Sequence, residues 1–112
     1  MRVIKIDVEK QEVGFIEIEP KAKEIAKVIG NGCNFIAGGI ELDNDVIMVD
    51  DEALLRPDDI KGGFRYSGLD YPVINNAVIL GVDNDGEWIN CKSTLEEIKS
   101  KIKFVRIQPK LM

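Results

Sequence analysis

Residues 77–82 read Ala-Val-Ile-Leu-Gly-Val, six apolar positions without a polar residue among them. A strand with one face in water alternates apolar and polar side chains. An unbroken run of this length implies a strand covered on both faces. The next four residues, Asp83-Asn84-Asp85-Gly86, are turn formers, and Glu87-Trp88-Ile89-Asn90-Cys91 returns as the partner of a hairpin.

Upstream, Arg2 to Val8 sets Val3, Ile4, Ile6 and Val8 against Lys5 and Asp7, the pattern of a half-buried strand. Glu9-Lys10-Gln11-Glu12 is polar enough to turn the chain. Val13 to Ile18 gives a second strand, with Phe15 or Ile16 and Ile18 inward. Pro20 suits the first position of a helix of about ten residues, and Ala22, Ile25, Ala26 and Ile29 follow at helical spacing before Gly30 stops it. Residues 31–39 fit loop, strand or helical turn equally. Residues 40–49 read as a hairpin about Asp43-Asn44-Asp45, and Asp50 to Leu55 as one helical turn closed by Arg56-Pro57. Residues 58–76 are the least regular.

Near the carboxyl end Ser93 can cap a helix, with Glu96 completing a capping box and Leu95, Ile98 and Ile102 forming the buried stripe. Phe104, Val105 and Ile107 add a last short strand. The order predicts an α+β fold, a mainly antiparallel sheet with two short amphipathic helices packed against it. At 112 residues and 12.5 kDa the chain has enough surface to bury for one compact domain, residues 1–112, and not for two. No apolar run approaches the ~20 residues of a membrane span, and Met1 to Asp7 lacks the apolar region of a signal peptide. The expectation is a soluble, cytoplasmic protein.

The net charge of −5 is uneven: residues 1–40 balance, residues 41–87 carry −9 and residues 88–112 carry +4. So acidic a middle segment argues against direct binding of a phosphate backbone, which needs clustered Lys and Arg. It is explained by solvated turns, or by an acidic surface offered to a basic partner or a cation. With no His and two distant cysteines, Cys33 and Cys91, neither a zinc site nor a disulfide framework is indicated. The same lack removes Ser–His and Cys–His nucleophilic pairs. The Asp83–Glu87 loop resembles a calcium loop, but Lys92 stands where the bidentate Glu belongs. Neither Gly38-Gly39 nor Gly62-Gly63 forms a phosphate-binding loop.

From about residue 35 to residue 92 the chain resembles a family of small uncharacterised proteins met in phages, plasmids and Firmicute genomes. The likeness rests on Gly38-Gly39-x-Glu41, on DVIMVDDEALL (Asp45–Leu55) and on AVILGVDNDGEW (Ala77–Trp88). It implies a mobile-element setting and no activity.

The expected function is a non-enzymatic binding module for a host protein or a small signalling ligand, with no cofactor. Ligand capture would use Gly62, Gly63, Arg65, Tyr66 and Tyr71, aromatic faces and an Arg beside open backbone in the irregular segment. Protein capture would use the acidic segment. The alternatives are a small metal-dependent hydrolase drawing on Asp50, Asp51, Glu52, Asp58 and Asp59, and a homo-oligomeric accessory domain pairing through Ala77–Val82 if that run lay at a sheet edge.

Overall fold

A computed structural model of the chain describes residues 1–43 and 45–106. In chain order it contains β1 (Arg2–Asp7), β2 (Glu12–Glu17), α1 (Ala22–Ile29), β3 (Ile36–Glu41) and β4 (Asp45–Asp50). Two 3-10 turns follow, Ala53–Leu55 and Pro57–Asp59. Then come β5 (Gly63–Tyr66), β6 (Val73–Ile74), β7 (Ala77–Val82), β8 (Trp88–Ile89), α2 (Leu95–Lys101) and β9 (Ile102–Val105). The class is α+β, and every strand pairing is antiparallel.

The apolar run is the middle of the larger sheet, ordered β2-β1-β7-β4-β3. Its side chains alternate between two layers. Val78 and Leu80 meet Ile25, Ala26 and Ile29 of α1, while Ala77 and Ile79 face the second sheet. Because β7 lies between β1 and β4, it presents no edge to a second molecule, and the pairing expected through Ala77–Val82 does not arise.

Asp83 to Glu87 closes the hairpin to β8. The Asp83 carboxylate accepts the Asp85 and Glu87 amides, both at 2.9 Å, and Gly86 takes a φ of 82°. Beyond the last β1 rung, β8 continues that side of β7. The Cys91 amide donates to the Arg2 carbonyl, and the Arg2 amide to Asn90 Oδ1 at 2.7 Å.

In the second sheet, ordered β6-β5-β9, β9 falls at the short last strand the sequence predicts, while β5 and β6 lie where it reads as irregular. Strands of four and two residues, entered through Gly62-Gly63 and Tyr71-Pro72, are too short for periodicity to register. Phe64, Tyr66 and Val73 from this sheet, with Ile98 of α2, pack on Ile4, Ile6, Ile47 and Ile79. The larger sheet thus carries α1 on one face and the smaller sheet with α2 on the other.

Both helices begin one or two residues later than the sequence suggests. Lys21 is the cap residue of α1, so Pro20 stands outside the helix; Gly30 ends it at a φ of 69°. Ala22 is exposed, and only Ile25, Ala26 and Ile29 of the expected stripe are buried. In α2 the capping box is Thr94 with Glu97, not Ser93 with Glu96. Ser93 is diverted to Asp45, a buried carboxylate that accepts the Lys92 and Ser93 amides and the Ser93 hydroxyl. Ile102 begins β9 rather than ending the helix, and Ile107 lies outside the described residues. No described helix is long and apolar enough to cross a membrane.

Candidate functional site

At Asp50 the apolar strand β4 ends and the chain must turn, and the turn is built around that carboxylate. The Asp50 side chain is 0% exposed. It accepts from the Arg56 guanidinium, from Asn75 Nδ2 at 2.8 Å and from the Glu52 amide at 3.1 Å. Arg56 also donates to the carbonyls of Glu52 (3.0 Å) and Asn31 (3.2 Å), and its Nε lies 3.7 Å from Asp59. Asn31 and Asn75 hold left-handed backbone, φ 53° and 77°, which Asn tolerates better than most residues. Their side chains join at 2.9 Å, and Asn76 continues the chain of bonds to the Ile29 carbonyl and the Val8 amide.

This is a latch. It ties the end of α1, the turn after β4 and the β6–β7 bend to one carboxylate. Burial pushes the Asp50 carboxyl up, but the hydrogen bonds from Arg56, Asn75 and the Glu52 amide outweigh it and hold the group below the usual carboxylate range. With its oxygens committed inside the protein, Asp50 is a positioning group. Nearby, burial and then the Asp50 charge push the Cys33 thiol up to about 11, so it stays protonated at neutral pH. Cys91 is likewise buried and its thiol raised, chiefly by burial.

What the latch positions is the first 3-10 turn. Leu54 and Leu55 project from it 75% and 73% exposed. Across from them Tyr71 is 58% exposed. Between lies a groove of about 570 Å³ with Gly39, Ile40 and Val49 on one wall and Pro72, Val73 and Ile74 on the other. Among the described residues β3 is the last strand of the larger sheet and β6 the last of the smaller, so the groove opens where the edges of the two sheets meet. Asp51 and Glu52 line it, and Asp70 is exposed in the chain next to Tyr71. Apolar floor and acidic rim are both present.

The residues the sequence nominates for ligand capture do not converge. Arg65 and Tyr66 are neighbours on a strand and point to opposite faces. Arg65 is exposed, whereas Tyr66 is 7% exposed in the core, its hydroxyl pushed up by burial. Gly62 has a φ of 153° and accepts the Asn75 amide at 3.0 Å, and Gly63 is a buried rung beside Ile74 and Val105. Only Tyr71 of the five lines the groove. The acids scatter too: Asp50 is buried, Asp51, Asp58 and Asp59 are exposed, and no three described His, Cys, Asp or Glu side chains come together to hold a metal ion.

Leu54 and Leu55 were the signal to find. They sit between two acidic pairs, Asp50-Asp51 and Asp58-Asp59, in a turn too short to bury them. The sequence reads them only as the end of one helical turn, Asp50 to Leu55. No family model, curated protein or solved structure matches the chain.

Proposed function

We propose that the protein is a non-enzymatic binding module that captures an apolar, lysine- or arginine-flanked segment of another protein in the groove beneath Leu54, Leu55 and Tyr71. In the mobile-element setting implied by the likeness of residues 35–92, that partner is a host protein met in the cytoplasm. The observation that carries the reading is the exposure of three large apolar side chains around one groove inside the most acidic part of the sequence. Contiguous exposed apolar surface on a small protein marks an interaction site more often than a solvated face. Aromatic and aliphatic anchors with a charged rim are the usual anatomy of such a site. The rim chooses a basic partner, and the floor supplies the affinity.

The test is fluorescence anisotropy with a labelled peptide in which a leucine pair is flanked by lysines. Saturable binding is expected, weakened by salt because exposed rim charges are screened within about 8 Å at physiological ionic strength. Leu54→Asp with Leu55→Asp should remove it. Undiminished binding in that variant would move the site elsewhere. A native mass spectrum of the protein from cell extract carrying a few hundred extra daltons, displaced by neither salt nor peptide, would replace the protein partner by a small ligand.

A further inference from the structure

The groove has a counterpart on the other face of the same edge strand. Where β3 begins, Phe35 stands 60% exposed beside Ala22 and Ala26 of α1, and the hollow between them, about 590 Å³, is flanked by Lys23 and Lys27. Ile36 lines this second hollow and is paired across the ladder with Asp50, which lines the first. The Asp51 amide also donates to the Phe35 carbonyl at 2.9 Å. The two sites therefore adjoin through one rung of the sheet. One offers a protruding leucine pair beside acids, the other an apolar hollow beside lysines. Among the described residues, none of Lys23, Lys27, Asp51 and Glu52 forms an ion pair within the molecule.

We infer that the protein associates with a second copy of itself, the acid-flanked Leu54-Leu55 of each molecule entering the lysine-flanked hollow of the other. A two-fold axis parallel to β3 keeps the strand direction and exchanges the faces of the sheet. It therefore sets the α1 side of one copy opposite the small-sheet side of the other. Each copy then gives and receives the same contact, and the pair closes without growing further. An axis perpendicular to the sheet would instead set lysines against lysines and acids against acids. The register shift between Gly38 and Ile40 breaks up the free edge of β3, so a continuous ladder between copies is disfavoured and the side chains carry the contact.

This inference rests on the same leucine pair as the proposed function, and it makes the two partners rivals: once Leu54 and Leu55 are seated in the hollow of a second copy, they no longer rim a groove open to a foreign segment. Sedimentation velocity on the full chain tests it. A dimer is expected, converted to monomer by Lys23→Glu with Lys27→Glu. Adding Asp51→Lys and Glu52→Lys to that variant should restore the dimer, a rescue that general misfolding cannot mimic. A wild-type protein that sediments as a monomer, or a dimer that survives reversal of both lysines, overturns the inference. The lysine–leucine peptide separates it from the reading it rests on. A monomer that binds the peptide defeats self-association and keeps the groove. A dimer that the peptide neither binds nor dissociates keeps self-association and defeats capture of a foreign segment.

Discussion

Arg56, its side chain largely buried, carries much of the site. Its guanidinium is the cationic partner of a fully buried carboxylate and joins two backbone segments, at the carbonyls of Glu52 and Asn31. Replacing it by Met leaves Asp50 charged and short of partners, and breaking such a pair costs about 3 kcal/mol. Urea unfolding of Arg56→Met at pH 7 checks this. The pH dependence has a definite sign. The folded pKa of Asp50 lies below its unfolded value, so its contribution is present above about pH 4 and is lost as pH falls further, through the lower folded value. Wild-type stability should therefore decline on acidification below about pH 4. In Arg56→Met the decline should be shallower, because the main stabiliser of the charged form is gone. Neither Asp50 nor Arg56 can be recognised in the sequence, since what distinguishes them from other acids and bases is burial by elements far away in the chain.

At the scale of the element, caps and close contacts decide where the segments stop. Thr94→Ala removes a capping box and should cost about 1 kcal/mol by thermal or urea unfolding, whereas Glu96→Ala, outside the box, should be close to neutral. Gly81 is a tighter constraint: a methyl there would overlap the Asn90 carbonyl oxygen, just past β8, where Asn90 and Cys91 bond to Arg2. Gly81→Ala should lower stability by about 2 kcal/mol, as overpacking does. Elements of six residues or more with a strong pattern were legible in the sequence: β1, β2, β4, β7 and the helical stripe Ile25-Ala26-Ile29. The Gly-rich β3 was only half legible, its first residues falling in the ambiguous stretch 31–39. Of the smaller sheet only β9 was legible, through Phe104 and Val105; β5 and β6 are short and draw their stability from Phe64, Tyr66 and Val73 meeting a core assembled elsewhere. The groove was hidden for the same reason, since one wall belongs to that sheet.

For the whole molecule, surface function and core stability are separable. Leu54 and Leu55 are mostly in water, so Leu54→Asp with Leu55→Asp should shift unfolding free energy by no more than about 0.5 kcal/mol while abolishing peptide binding. A large loss of stability would mean that the pair is structural. The position of β7 has a further consequence, in time rather than in space. Until residue 82 is made, β1 has only β2 to pair with and β4 only β3, and those two hairpins share no strand. The chain therefore leaves the ribosome with the middle of its sheet missing and two apolar strand edges waiting for the same late segment. At about 5–20 residues per second, that wait lasts for seconds from the completion of β4. A nascent chain stalled before Ala77 would lack α2 and β9 of the second layer as well, and would offer both apolar edges to the cell's chaperones.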